Sequence, residues 1–315
     1  MDLLKSPVVI VGLGSQAKSW ALNLRDSGVE VNILLREKSP SFELAKKLNF
    51  KTLTFEKDDL SPFNIFLLLT PDHTHEHILS KYKRLFQDQI YFIYAHGFSY
   101  CKSRLNKLFP QWNHILLAPK AIASEVRFQY ETKGKLAAAY SVEGAKNQKE
   151  ATEIIFSLSQ GIGINVGPFS VSFQEECFAD LFSEQSLLCS ILPYASSMSF
   201  KKLREKGVSK EIAYFECWAE LKLICDALVK MGPTGFFNLI SPNALIGGEK
   251  AKNILFDKDF ERKLDGLIED IWSNKFFDEV DKADFISLKQ KVLSRWENEE
   301  IQDLHDHLGK ELFQG

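Results

Sequence analysis

The chain has 315 residues, too many for one small core, so two domains are expected. Hydrophobic residues at 45% and charged residues at 26% describe an ordinary globular protein and exclude a disordered or fibrous one. The formal net charge of −3 gives no electrostatic case for binding nucleic acid or an anionic membrane.

The first apolar run, Val8 to Leu13, is broken by Gly12 and followed by Gly14. It is too short and glycine-rich for a signal segment, and no stretch has enough consecutive apolar residues to span a bilayer. The cysteines (Cys101, Cys177, Cys189, Cys217 and Cys225) form no C-x-x-C pair. Their pattern suits a reduced, cytoplasmic protein rather than a disulfide framework.

Pro7 to Val11 reads as a buried parallel strand, Gln16 to Ser27 as a helix closed by Gly28, and Val29 to Leu35 as a second strand. A helix over Phe42 to Leu48 follows, then a strand over Asn64 to Leu69 and a helix from Thr74 to Phe86. Gln89 to Ala95 and His114 to Leu117 supply further strands. Strands alternating with helices predict a doubly wound parallel sheet.

The character changes after Gly167-Pro168. From Glu175 to about Leu312 the apolar spacing is helical, most strongly over Phe178 to Met198 and Lys210 to Met231. The predicted fold is therefore α/β then all-α, with residues 1–170 binding a nucleotide and 171–315 forming a helical domain.

Strand 1 runs into Gly12-Leu13-Gly14-Ser15-Gln16-Ala17 and a helix. The glycines allow a tight turn and close approach of backbone to a pyrophosphate, and the helix N-terminus adds N–H donors and a favourable dipole. Within strand-turn-helix-strand context this G-x-G-x-x-A pattern marks a Rossmann-like dinucleotide site involving Gly12, Gly14, Ser15 and Gln16. At the tip of strand 2, Arg36 with Ser39 and Ser41 suits a 2′-phosphate and favours NADPH. A shift of one residue would instead present Glu37 to a ribose hydroxyl.

Asp180 and Glu184 stand four apart on one predicted helix, and Glu216 and Glu220 four apart on another. Each pair projects from one helix face, among apolar neighbours that make an unpaired charge costly. Four carboxylates on two helices can hold a pair of Mg²⁺ ions, which prefer hard oxygen ligands. Acids at this spacing are also common on solvated faces, so spacing leaves both readings open. The run His73, His75, His77 reads as a solvated helix start rather than a metal tract.

The chain resembles the ketol-acid reductoisomerases (acetohydroxy-acid isomeroreductases) of the short class I. The similar stretches are Gly12-Leu-Gly-Ser-Gln with Ala21-Leu-Asn-Leu-Arg-Asp-Ser-Gly28, Ala95-His96-Gly97-Phe98, and Leu117-Ala-Pro-Lys120 with Val126-Arg127. They continue with Asp180-Leu-Phe-Ser-Glu184-Gln185, Ala213-Tyr-Phe-Glu216, Glu220-Leu-Lys-Leu-Ile224 and Ile240-Ser241. The resemblance implies an alkyl migration on a 2-acetolactate-like acid promoted by two Mg²⁺ ions, followed by reduction by NADPH. It implies that Asp180, Glu184, Glu216 and Glu220 serve the metals, Glu220 also acting at the reacting centre. It also implies that His96 and Lys120 lie at that centre and that Ser241 meets the substrate carboxylate. It further implies a homodimer with shared sites, branched-chain amino acid biosynthesis as the setting, and neither nucleic acid nor membrane as partner.

The chain departs from the family at Ala121-Ile122-Ala123-Ser124, where Gly-Pro-Gly-His is usual, and at Ser183, Trp218-Ala219 and Leu245. These departures leave two alternatives beside the reductoisomerase: a non-catalytic nucleotide-binding dimer, and an NADP-dependent 2-keto acid reductase without the migration.

Overall fold

Val8–Val11 (β1) is buried throughout because its side chains serve both sides of a sheet: Val8 and Ile10 join one core layer, Val9 and Val11 the other. The structure, a computed structural model, describes residues 6–313. After β1 come α1 (Ser15–Asp26), β2 (Val31–Leu35), α2 (Ser41–Lys47), β3 (Lys51–Thr54) and β4 (Ile65–Leu68). Then follow α3 (His75–Lys81), β5 (Tyr91–Tyr94), α4 (Phe98–Ser103), α5 (Leu105–Leu108) and β6 (Asn113–Pro119). The sheet is completed by α6 (Ala123–Glu131), β7 (Ala137–Gly144), α7 (Gln148–Ile162) and β8 (Val166–Ser170).

The strand order is β3-β2-β1-β4-β5-β6-β7-β8. Neighbours from β3 to β6 are parallel, so the expected doubly wound layer is present and the winding reverses between β1 and β4. At the far edge β7 runs antiparallel to β6 and pairs in parallel with β8. Gly167-Pro168 is not a break after the sheet but lies inside β8, an edge strand that tolerates a missing N–H. The helix expected over Thr74 to Phe86 is cut at Tyr82 into α3 and a short 3₁₀ turn.

Asn23 ties three helices together. Its Nδ2 donates to the carbonyls of Val126 (3.2 Å) and Ile162 (2.9 Å), and its Oδ1 accepts from Arg127 Nη1 (2.8 Å). Arg127 also pairs with Asp26 at 2.8 Å. These two residues of the sequence motifs are thus structural, satisfying polar groups between α1, α6 and α7.

The chain divides into two compact units between Ala179 and Asp180, inside α8 (Phe173–Ser183). The second unit is helical. Its first elements are a π turn at Glu184–Leu188, α9 (Ile191–Glu205), α10 (Lys210–Tyr214), a π turn at Phe215–Ala219, α11 (Glu220–Leu239) and α12 (Pro242–Leu255). It continues through α13 (Lys258–Trp272), α14 (Lys275–Lys282), α15 (Phe285–Glu297), α16 (Glu300–Leu304), a π turn at His305–Gly309 and α17 (Lys310–Phe313). The helix expected over Phe178 to Met198 is interrupted at Cys189-Ser190, and α11 is kinked at Gly232 (φ 70°) before Pro233.

Phe200, Ala213, Tyr214, Ala219, Ile301 and Leu304 form one buried apolar cluster of this unit. By contrast α11 and α12 bury no residue within the chain, and Leu223, Val229, Leu239 and Ile246 are 60–83% exposed. No single helix among the described residues is long and apolar enough to cross a membrane; α10–α11 and α12 pass that test only together, across a 105° bend.

Candidate active site

The glycine turn after β1 opens a cleft of about 400 Å³ at the carboxyl edge of β1, β2 and β4. Gly12 has φ +88°, and a Cβ there would stand 2.7 Å from Thr70 Cγ2 at the end of β4, so only glycine fits. A Cβ on Gly14 would meet nothing within 4 Å, which leaves open space above the first turn of α1. The free N–H groups of that turn, which holds no acidic side chain, make it a seat for an anion.

Gly12, Gly14, Arg36, Ser39 and Ser41 all line this cleft, whereas Ser15 and Gln16 begin α1 outside the lining. Arg36 lines the cleft and Glu37 does not. Lys57 holds the Glu37 carboxylate at 2.5 Å, and Glu37 is absent from the lining. The Glu37 N–H donates to Glu56 Oε2 (3.2 Å), while Tyr82 Oη donates to Glu56 Oε1 (3.0 Å), which ties the strand 2 tip to the end of α3. Tyr82 stacks on Phe55 at 4.0 Å, and both face the cleft. His77 and Lys81 line it from α3, Lys81 adding a positive charge not assigned from the sequence.

The three histidines at the start of α3 have separate fates. His73 and His77 are exposed, but His75 is interior: its Nε2–H donates to the Thr70 carbonyl (2.9 Å) and its Nδ1 accepts from Ser99 Oγ (2.7 Å). Burial lowers its pKa, which keeps the ring neutral and anchors the cleft wall at Thr70.

Further along the same edge, beyond β5 and β6, His96 and Lys120 meet a buried carboxylate. Glu176, on the first turn of α8, has a side chain only 2% exposed. Lys120 Nζ donates to its Oε1 at 2.7 Å, and the Gly97 N–H donates to its Oε2 at 2.8 Å. His96 Nε2 lies 3.8 Å from Oε2. Gly97 is required, because a Cβ there would stand 2.5 Å from the Phe173 carbonyl oxygen. The Lys120 backbone N–H is fixed to the Ala137 carbonyl of β7 (2.9 Å). A buried carboxylate with these donors fixes an ammonium and an imidazole at one place, which suits stabilising negative charge or moving a proton.

Glu176 was not singled out from the sequence. Its signal was present, since Glu176, Asp180 and Glu184 continue one row at four-residue spacing.

Two family models match the chain: "Acetohydroxy acid isomeroreductase, NADPH-binding domain" over residues 3–167 and "Ketol-acid reductoisomerase, C-terminal domain" over 173–314. The chain belongs to the ketol-acid reductoisomerase family. It is 34% identical over 273 residues to the ketol-acid reductoisomerase (NADP(+)) of Helicobacter pylori (strain HPAG1), covering 85% of this chain and 81% of that one. It is 30% identical over 279 residues to the enzyme of the same name from Sulfolobus acidocaldarius, covering 88% and 83%. A solved NADH-preferring ketol-acid reductoisomerase from an uncultured archaeon shares the fold, with a TM-score of 0.85 and 24% identity over 97% of this chain and 94% of that one.

As a member of this reductoisomerase family the protein is an NADP-dependent oxidoreductase, and the 400 Å³ cleft lies in its NADPH-binding domain. The remaining residues expected from the resemblance fall in the second unit. Asp180 is half-buried and Glu184 exposed, the latter opening a π turn. Glu216 lies in the next π turn and Glu220 starts α11; both are exposed within the chain. Such turns widen the helix and recur at functional sites. Ser241 caps α12, its Oγ accepting the Ala244 N–H at 3.2 Å. The departures also have places. Ser183 donates to the Asp180 carbonyl (3.0 Å), Trp218 packs near Trp296 (6.1 Å), and Ile122 beside Lys120 is 75% exposed.

Proposed function

We propose that the chain is an NADPH- and Mg²⁺-dependent reductoisomerase that converts a 2-hydroxy-3-keto acid of the 2-acetolactate type to a 2,3-dihydroxy acid. The observation that carries this reading is the Glu176-centred cluster, in which a buried carboxylate holds Lys120 at 2.7 Å beside His96. It lies on the same strand edge as the cleft of the NADPH-binding domain. NADPH supplies hydride when bound, and Mg²⁺ supplies Lewis-acid polarisation of the ketone and alkoxide oxygens.

The chain's own residues do the rest. Gly12, Gly14 and the first turn of α1 receive the pyrophosphate, while Arg36, Ser39 and Ser41 receive a 2′-phosphate, with Ser15 and Gln16 supplying α1 donors. Lys120, fixed by Glu176, places an ammonium where oxygen charge develops, and His96 holds or releases a proton beside it. Ser241 contacts the substrate carboxylate.

The donor set of Asp180, Glu184, Glu216 and Glu220 fits Mg²⁺, since all four offer hard carboxylate oxygens on two short stretches of helix. Among the described residues, Glu184, Glu216 and Glu220 join no group of three possible ligands within one chain. A site completed by a second copy would leave them so. The apolar, exposed α11 and α12 support a homodimer, with 1–170 and 171–315 as its cofactor-binding and dimer-forming domains.

NADPH oxidation should be followed with 2-acetolactate, then with a 2-keto acid such as hydroxypyruvate or ketopantoate, each with and without Mg²⁺. Mg²⁺-dependent turnover of 2-acetolactate is expected. Turnover of the keto acid alone would make the protein a plain reductase, and binding of NADPH without any turnover would leave a non-catalytic dimer.

A further inference from the structure

His75 is the first residue of α3 and is 2% exposed, and the proposed reaction leaves it without a role. Its ring spans three segments of the first unit. Nε2–H donates to the Thr70 carbonyl just past β4 (2.9 Å), and Nδ1 accepts from Ser99 Oγ in the first turn of α4 (2.7 Å). The ring also lies 5.7 Å from that of Tyr94 in β5, two residues before His96. Both nitrogens are engaged by the protein, and the side chain presents nothing to a nucleotide or a substrate. Anything it does for either is done through the residues it holds.

Those residues belong to the two places where chemistry is expected. Thr70 lines the nucleotide cleft, and a Cβ on Gly12 would come within 2.7 Å of its Cγ2, so the glycine turn rests on Thr70. Thr74, whose Oγ1 lies 2.9 Å from Thr70 Oγ1, lines the cleft as well. On the other side, Ser99 is two residues beyond Gly97, whose N–H donates to Glu176 Oε2 at 2.8 Å. Helical spacing explains how one helix serves both places. His75 and Leu79, four apart, are buried, while Ile78 and Lys81, three apart, line the cleft. Neither hydrogen bond of the ring can be exchanged for one to water without opening the interior, so the two ends are held at a fixed separation.

We propose that His75 is a positioning residue that sets the cofactor cleft in register with the cluster of His96, Lys120 and Glu176, by tying Thr70 to Ser99 across one imidazole ring. The register matters because both places must act on one reaction, and a misplacement of about 1 Å costs up to about a hundredfold in rate. A planar ring with a nitrogen on each of two edges fixes the angle between its partners as well as their distance. This role rests on the proposed reaction for what the two places do, and on the two hydrogen bonds for the tether itself.

Three variants of the full chain test this role, each checked for folding by thermal melting. Ser99→Ala removes one oxygen and opens the α4 arm alone. Its kcat for Mg²⁺-dependent NADPH oxidation with 2-acetolactate should fall at least about tenfold, while the NADPH dissociation constant by fluorescence titration stays within about twofold. His75→Leu opens both arms, so kcat should fall at least as far and NADPH should bind about five- to tenfold more weakly. His75→Gln keeps one donor and one acceptor and should restore both values to within about threefold of the unaltered chain. A purely structural histidine would lower the melting temperature and leave kcat and NADPH affinity of the folded protein unchanged, and that result would overturn the role. Unchanged kcat in Ser99→Ala, whose folding does not depend on that of His75→Leu, would overturn it too, as would a His75→Gln no better than His75→Leu. If the unaltered chain binds NADPH without turnover, the reductoisomerase reading fails, and NADPH affinity still decides the tether: equal affinity in the unaltered chain, His75→Leu and His75→Gln overturns it.

Discussion

In the first unit β1, β4 and β5 have no residue that is not buried, whereas α11 and α12 of the second unit have none that is. Both regions are rich in apolar residues, so composition does not explain the difference. A sheet covered on two faces consumes every side chain of its central strands within one chain. A long helix satisfies its own backbone but leaves its apolar stripe to whatever packs on it. The chemistry follows the same division. Glu176, Lys120 and His96 are brought together inside the first unit, while Glu216 and Glu220 stay exposed on helices that, on our reading, a second copy covers.

The largest effect expected from breaking the first half of this comparison is that of Glu176→Gln. The change keeps shape and removes the charge that fixes Lys120, so kcat should fall about a hundred- to a thousandfold. NADPH affinity by fluorescence titration should move less than about twofold, because the cleft is lined by other residues. Unchanged turnover would mean that the preassembled cluster is only a structural tie.

The interior of the first unit should also reveal itself through pH. His114 is enclosed, its Nδ1 accepting from Tyr94 Oη (2.8 Å) and its Nε2–H donating to the Phe109 carbonyl (3.1 Å). Burial lowers its pKa to about 4. The unfolded chain takes up a proton near the ordinary value of about 6.5, which the folded chain refuses. This stability is full above that pH and is lost as pH falls towards about 4, by about 3 kcal/mol in all. His75, also lowered by burial, acts in the same direction. Urea unfolding at several pH values should show a shallower acid slope in His114→Gln, at any protein concentration. An unchanged slope would show that this interior is not the origin.

The second unit should respond to concentration instead. Val229 is 83% exposed within the chain. If a second copy covers α11, Val229→Asp buries a lone carboxylate and should weaken dimerisation by at least about thirtyfold in sedimentation. A chain that is monomeric before the change would remove the proposed role of Glu216 and Glu220 in a partner's site.

The smallest expected effect sharpens the cofactor cleft. Arg36→Ala should weaken NADPH binding by about tenfold and leave NADH nearly unaffected, with Lys81→Ala following by a few-fold. Equal losses for both nucleotides would mean that neither cation meets the 2′-phosphate.

What the sequence determined by itself was local. The apolar run of β1, Gly12, Gly14 and the start of α1 specify a turn whose geometry depends on few residues. Tertiary structure decided what depends on distant partners. Ala137-Ala-Ala-Tyr140 has no strand signature, yet it becomes β7 because β6 offers it a ladder. β3, with one buried residue in Leu53, gives too faint an alternation to read, and β8 carries a proline that argues against a strand. Glu37 meets Lys57, 20 residues later, and Glu176 gains its place only when Lys120, 56 residues earlier, is set beside it. Periodicity and turn propensity act over one or two turns of chain, whereas ion pairs and burial are settled when the sheet closes.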